Sequence, residues 1–257
     1  IYGSRASNGV LLVTTKKGNK DKNPTVDISY TASMQTPTKV PELNNSWDYA
    51  MLVNESYVQA GGNPLYTDEE IQMMRDGSNP DYYANTNWWK SAVKSNDSMH
   101  QANVRVSGGT AKSAYMISGG YTSQQGLVQF TDFSKYNARA NVSTQIVDNF
   151  DVMACVSYYR SNSKEPDHYS DFFEAVLNMP PYLPVKRANG DWGHLNNEDT
   201  NPVAWITEGG HTKSYDNNLL MNRMANWEII PGLRSKAQFS WNLWEVGSSS
   251  IYKAITF

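Results

Sequence analysis

The sequence has little cysteine, little charge and no long apolar run, and each shortage excludes a class of protein. Cys155 is the only cysteine, so an intrachain disulfide framework is excluded, and we expect this thiol to be inert on a strand. No run of about 18 apolar residues occurs, which excludes a transmembrane helix. Charged residues make up 18% of the chain and the net charge is −3, so there is no electrostatic basis for a nucleic-acid partner.

Uncharged polar and aromatic residues take the place of the missing charge. The 257-residue chain, long enough for one large or two small domains, has 16 Tyr and 8 Trp but an apolar share of only 39%. This composition is unusual for a soluble enzyme. It is common in antiparallel β-proteins with one wet face, including outer-membrane barrels, which carry Tyr and Trp girdles on the lipid side and polar residues in the lumen.

Alternation with period two predicts long strands. The first covers residues 25–33. The hairpins join 100–107 to 113–124, 134–147 to 150–161, and 214–230 to 233–247, through turns at Gly108-Gly109-Thr110, Asp148-Asn149 and Pro231-Gly232. Strands of about 10 to 15 residues exceed the usual globular length and suit tilted transmembrane strands.

The two sides of these strands differ in polarity. One side of 136–146 carries Tyr136, Ala138, Ala140, Val142, Thr144 and Ile146, and the other carries Asn137, Arg139, Asn141, Ser143 and Gln145. The segment 233–243 sorts in the same way. A polar face of this length must meet water. The outer face of a soluble sandwich would satisfy that too, but long strands, tight turns at one end and long excursions at the other favour a barrel.

Two excursions interrupt the strands. In residues 41–98, Ser46 is the expected cap of a helix over 47–60 that ends at Gly61-Gly62, and Thr67 with Glu70 forms a capping box for a helix that ends near Arg75. In residues 166–210 we expect a helix over 171–178, followed by three prolines that exclude a regular strand. Loops of this length are usually functional.

Chemistry-bearing motifs are weak. GGTAKS at 108–113 is better explained as a hairpin turn than as a phosphate loop, and no G-x-S-x-G nucleophile motif occurs. The four histidines have no metal spacing, and NNEDTN at 196–201 is more simply a loop than a calcium site. The loop acids Asp191, Glu198 and Asp199 are more simply solvated than a glycosidase pair. We therefore expect no catalytic site, metal or cofactor.

The opening stretch IYGSRASNGVLLVTTKKG, residues 1–18, carries the most specific pattern. A compact turn runs directly into a predicted strand at residues 10–15, so we expect a segment of a longer chain with partners upstream. The stretch resembles the end of the plug domain in SusC/RagA-type TonB-dependent outer-membrane transporters. The matching residues are Tyr2, Gly3, Arg5, Ala6, Asn8, Gly9, Val10, Thr15, Lys16 and Gly18.

Three later stretches are similar to the same family: NTNWWKSAV at 85–93, VRVSGGTAKSAYMISGGYTSQQGLV at 104–128, and FSKYNARANV at 133–142. Asn87 stands where the family usually has Asp, and Lys135 where it usually has Arg. The resemblance runs to about residue 245 and covers nearly the whole chain.

The resemblance implies an all-β fold, a partial transmembrane antiparallel β-barrel with long, partly helical extracellular loops. The complete barrel would be plugged and have about 22 strands, of which six or seven are expected here. Residues 1–18 would end the plug, with the motif Tyr2, Gly3, Arg5, Asn8 and Gly9. Residues 19–257 would form the first part of the barrel.

The resemblance also implies a function without bond chemistry. The whole protein would import glycan or peptide across the Gram-negative outer membrane. Its partners would be the lipid bilayer, a SusD-like lipoprotein on the extracellular face, and TonB through a box upstream of Ile1. Aromatics of the loops hold polar ligands in wet sites, so Tyr182, Trp192 and Trp205 are the candidate substrate contacts, with internal loop packing as the plainer interpretation.

Other readings of the sequence remain open. Tyr158, Phe239 and Trp241 on the apolar sides are most simply lipid-girdle residues. A soluble or surface-exposed carbohydrate-binding β-sandwich would explain the alternation and the exposed aromatics, but not the opening motif or the strand length. A piece of a secreted glycoside hydrolase would need carboxylates at a defined separation.

Overall fold

The computed structural model of the protein describes residues 18–195 and 200–257. The plug-end motif and the strand expected at residues 10–15 lie outside these residues. The elements are β1 (Lys22–Gln35), α1 (Ser46–Gln59), α2 (Asp68–Asp76), α3 (Trp88–Ala92), β2 (Asp97–Gly109), β3 (Ser113–Gln125), β4 (Asp132–Val147), β5 (Phe150–Pro166), α4 (Tyr169–Asn178), α5 (Pro202–Glu208), β6 (Gly210–Ile230) and β7 (Leu233–Tyr252).

The seven strands form one antiparallel sheet in the order β1-β2-β3-β4-β5-β6-β7. Every strand therefore pairs with its neighbours in sequence, which is the arrangement of an up-and-down barrel wall. The expected six or seven barrel strands are confirmed as seven within residues 18–195 and 200–257. A sandwich needs two packed sheets, and the described strands make only one, so the sandwich alternative is wrong for this part of the chain.

The register brings the apolar sides of all seven strands together. One row across the sheet consists of Ile28, Val104, Gly119, Ala138, Tyr158, Leu219 and Leu243. We call this side of the sheet the apolar face. No protein covers it among the described residues: Ile28 is 78% exposed and Phe239 67% exposed. Arg223 is an exception within its rows, opposite Phe239, where a long aliphatic stem lets the charge reach a more polar level.

The opposite side is the polar face. One of its rows consists of Ser29, Asn103, Gly120, Asn137, Tyr159, Asn218 and Trp244. In the next row, Arg105 Nη2 lies 2.9 Å from Asp27 Oδ2. The faces expected for 136–146 and 233–243 are confirmed, because alternate residues keep one side of a pleated sheet.

Tight turns close one end of the sheet, which we call the turn end. The pairs Val147–Phe150 and Ile230–Leu233 leave two-residue turns at the expected Asp148-Asn149 and Pro231-Gly232, and Gly232 has a φ of 88°. The first turn was placed wrongly. Gly108 and Gly109 still pair with β3, and the chain reverses over residues 110–112. Glycine suits this part of the ladder because a Cβ at Gly109 would lie 2.3 Å from the Asn19 carbonyl oxygen.

Local signals explain most of the helices. The capping box is confirmed, since Glu70 N donates to Thr67 Oγ1 at 3.2 Å and Thr67 N donates to Glu70 Oε2 at 2.8 Å. Ser46 is not the cap of α1: Asn45 takes that position, and Ser46 is the first helical residue. The backbone N–H of Ser46 donates to Asn85 Oδ1 at 3.0 Å. The Ser46 hydroxyl does not cap the helix. Helices α3 and α5 were not predicted.

Candidate binding surface at the loop end

The three longer connections, residues 36–96, 126–131 and 167–209, leave the sheet at the end opposite the tight turns, which we call the loop end. Their buried apolar side chains form one cluster, the loop core, whose members are Trp88, Ala92, Val93, Val128, Phe172, Val176, Met179, Leu183, Trp192, Val203, Ala204 and Ile206. The connections therefore fold together as a single cap.

Hydrogen bonds join the first connection to the third. Trp88 Nε1 donates to the Pro180 carbonyl at 3.0 Å, and Thr86 Oγ1 donates to the Leu183 carbonyl at 2.6 Å. The backbone N–H of Ala84 donates to the Tyr182 carbonyl at 2.8 Å. These bonds satisfy carbonyls in the proline-rich stretch, which cannot form a regular strand.

Asn201 fixes the last helix of the cap. Its Oδ1 accepts from the backbone N–H groups of Val203 and Ala204, both at 3.0 Å, and caps α5. Its Nδ2 donates to the carbonyls of Val185 at 3.0 Å and Gly193 at 2.8 Å. The residue is fully buried. The Asn-Pro dipeptide at 201–202 is a helix-start signal that sequence reasoning could have used, because Pro favours the first helical position.

Trp192 belongs to the loop core. It is 5% exposed, and its Nε1 donates to Glu208 Oε2 at 3.1 Å. Lys186 Nζ lies 3.9 Å from the centre of its ring and 3.5 Å from Glu208 Oε1. These contacts with Lys186 and Glu208 hold the Trp192 ring in place. Trp192 therefore joins the 186–192 segment to α5.

The other two predicted contacts are half-buried. Tyr182 lies between Tyr49 and Tyr66, with ring centres 6.1 and 5.8 Å away. Burial, and then the nearby Tyr182, raise the pKa of Tyr66, so Tyr66 stays neutral at neutral pH. Trp205 stacks on His168 with ring centres 4.7 Å apart. The structure therefore does not bring Tyr182, Trp192 and Trp205 together around one opening.

An open cleft of about 610 Å³ lies where the first and third connections meet. Trp47, Tyr83, Arg75 and Arg187 are among the residues that line it. Asp81, also on its wall, accepts from the backbone N–H of Ala188 at 2.8 Å and holds the two connections together. Aromatic rings beside charged groups in a wet cleft suit a polar ligand. Trp47 was missed because its sequence context shows only a helix start.

Hydrogen bonding shifts the pKa values of Tyr83, which lines this cleft, and of its partner Glu70. The backbone N–H of Thr67, and then the Tyr83 hydroxyl, which donates to Glu70 Oε1 at 2.8 Å, lower the pKa of Glu70. The same bond raises the pKa of Tyr83. Tyr83 is therefore oriented by a carboxylate that stays charged at neutral pH.

Two further features are missing from the part of the chain that the structure describes. No helix in residues 18–195 and 200–257 has the length and apolar character needed to cross a membrane. Within the same ranges, His, Cys, Asp and Glu form no group of three or more that could hold a metal ion.

Comparison with known sequences finds TonB-dependent receptors. The chain is 29% identical over 255 residues to TonB-dependent receptor P3 of Formosa agariphila, covering 94% of this chain and 23% of that protein. It is 26% identical over 285 aligned positions to TonB-dependent receptor SusC of Bacteroides thetaiotaomicron, covering 100% of this chain and 26% of SusC. The chain thus spans about a quarter of the length of these relatives. No family model matches it.

Solved structures show the same fold. The RagAB peptide transporter matches with a TM-score of 0.73 and 21% identity, over 97% of this chain and 31% of that one. The RagAB peptide importer in its open-open state matches with a TM-score of 0.72 and 23% identity, over 100% and 32%.

The fold, the two faces of the sheet and the similar proteins indicate one class of protein. A seven-stranded meander with one apolar face and one polar face is part of the wall of a membrane β-barrel. More particularly, the chain is SusC/RagA-like, similar to TonB-dependent receptors over nearly its whole length, and its location is the outer membrane. The polar face is then the lumen side, and the loop end, which carries the long connections, is the extracellular end.

Proposed function

We propose that the whole protein imports oligosaccharide or peptide nutrients across the outer membrane, and that it performs no bond chemistry itself. The observation that carries the proposal is the folded cap at the loop end of a barrel wall, with an open aromatic cleft of about 610 Å³. Likeness to SusC and to the RagAB peptide importer supports transport. In the proposal, residues 1–18 end a plug, residues 19–257 begin the barrel, and TonB drives the plug.

A SusD-like lipoprotein is the proposed partner at the loop end. The cap presents a folded surface there, which combines the charged rim of the cleft with exposed apolar side chains such as Leu52, Val58 and Leu177. Such a surface suits a non-permanent partner, because transient interfaces are about as polar as the rest of a protein surface.

Substrate contact is proposed for the aromatics of the cap. Tyr182, Trp192 and Trp205 remain in the proposal as residues that shape the binding surface. Trp47 and Tyr83 join them because they line the open cleft.

The test is uptake by cells that carry the full-length protein. We expect deletion of its gene to abolish uptake of one labelled cargo from a panel of oligosaccharides and peptides, and the intact gene to restore it. Restoration with Trp47→Ala or Tyr83→Ala should reduce that uptake, whereas Tyr57→Ala, at an exposed position of α1, should not. Unchanged uptake of every panel member after deletion would refute the proposal.

A further inference from the structure

Basic side chains gather on the apolar face near the loop end. Lys164 on β5 pairs directly with Lys213 on β6. Arg160 lies four residues before Lys164, on the same face. Like charges directly opposite each other destabilise a sheet. Asp132 on β4 lies directly opposite Lys164 on its other side and offsets one of the three positive charges. The cluster keeps a net positive charge, which favours a bound anion.

These cations line one cleft of about 480 Å³, together with Asn162, Tyr215 and Asp132. Arg160 Nε donates to Asn162 Oδ1 at 3.0 Å, and its guanidinium carbon lies 5.0 Å from the centre of the Tyr215 ring. None of the three basic residues forms a salt bridge with any described residue. The cleft thus has three cations and one carboxylate.

The depth of the cleft in the membrane follows from the strands. Along the apolar face, β5 runs from Val156 and Tyr158 to Arg160 and Lys164, so apolar residues give way to basic ones towards the loop end. β6 makes the same change between Leu219 and Lys213. On a barrel surface this change marks the edge of the hydrocarbon layer. The cations therefore lie at the level of the lipid headgroups, on the extracellular side.

We propose that Arg160, Lys164 and Lys213 bind the phosphate group of a phosphorylated glycolipid in the outer leaflet. Charge complementarity selects this occupant, because ammonium and guanidinium groups form strong charge-assisted hydrogen bonds with phosphate oxygens. The acyl chains of such a lipid would lie against the apolar rows below. The inference rests on the outer-membrane location and not on the proposed cargo, so loss of lipid binding and loss of uptake are separate results.

The experiment measures binding of lipid to the full-length protein in neutral detergent. The probes are bisphosphorylated lipid A, its dephosphorylated counterpart and inorganic phosphate, followed by native mass spectrometry. We expect the phosphorylated lipid alone to bind tightly. K164Q/K213Q should weaken it roughly 30-fold, K164R/K213R should retain it, and the control K112Q, at the turn end, should leave it unchanged.

Three results would overturn the proposal. Equal binding of the dephosphorylated lipid would show that acyl chains alone are recognised. Unchanged binding by K164Q/K213Q would place the phosphate elsewhere. Inorganic phosphate binding as tightly as the lipid would indicate a free-anion site. Each variant is first checked for the heat-modified gel mobility of a folded barrel, and R160Q replaces the double variant if that does not fold.

Discussion

The sheet exposes large apolar side chains on one face, whereas the cap buries a core of them. In the sheet, Trp241 on the apolar face is 51% exposed. In the cap, Phe172 is 0% exposed and Trp88 is 1% exposed. The sheet is held by its ladder of backbone hydrogen bonds, and the cap by a packed apolar core.

The difference follows from the solvent that each region meets. The apolar face of the sheet is matched to lipid, so it needs no protein cover. The connections meet water beyond the membrane, and they must bury their own apolar side chains to stay folded. A barrel wall and a small globular core are therefore joined in one chain, and they should respond differently to the same kinds of substitution.

The largest effect is expected in the loop core. Phe172→Ala removes a fully buried ring and should destabilise the cap by about 3–5 kcal/mol. Phe173→Ala is the matched control, because Phe173 is 41% exposed on the same helix. Hydrogen exchange of the full-length protein should show faster exchange in α3, α4 and α5 for the first variant only. Equal protection in both variants would contradict a packed loop core.

The loss of stability caused by a new charge on the sheet should depend on which face receives the charge. Trp241→Arg places a cation on the apolar face and should cost about 2–4 kcal/mol, falling towards the membrane edge. Ser240→Arg, one residue away on the polar face, should cost much less. Unfolding of the full-length barrel in lipid measures both. Equal losses would mean that the two faces do not meet different solvents.

Asn201 tests the joint between two segments of the cap. Asn201→Ala removes a helix cap, takes the side-chain donor from the buried Gly193 carbonyl and leaves the Val185 carbonyl with only the Gly193 N–H, a loss of about 2–3 kcal/mol. Asn201→Asp keeps the capping oxygen but loses the two donated bonds, so it should restore little of that stability. Limited proteolysis of the 185–205 segment reports the change. Full rescue by Asp would show that only the cap matters.

The smallest effect is expected at the capping box. Thr67→Ala should destabilise α2 by about 1 kcal/mol. Because the pKa of Glu70 is lowered in the folded protein, its contribution is present above the ordinary carboxyl pKa of about 4.3 and is lost as the pH falls through the lower folded value. Hydrogen exchange in α2 between pH 6 and pH 3 should show this loss in the wild type and a weaker one in Glu70→Gln.

Sequence reasoning succeeded where structure is local or periodic. The alternation around Tyr136 predicted both faces of β4, and Thr67 with Glu70 predicted the start of α2, because each signal lies within a few residues. It misplaced the first hairpin turn, where Gly108-Gly109 continues the ladder. It left α3 as loop, because that five-residue helix is stabilised by Trp88, whose partner Pro180 lies far along the chain.

The site was harder to predict than the wall. Aromatic residues in polar loops have the same local pattern whether they bind a ligand or pack inside. Only the fold shows that Trp192 is buried and that Trp47 and Tyr83 line an open cleft.

The sequence by itself determined the class of fold and the two faces of the wall, because strand period and turn residues act over short distances. The tertiary structure alone decided that the connections fold as one cap, and that Lys164 lies opposite Lys213. Both depend on the register between strands and on contacts between distant segments, for which neighbouring residues carry no signal.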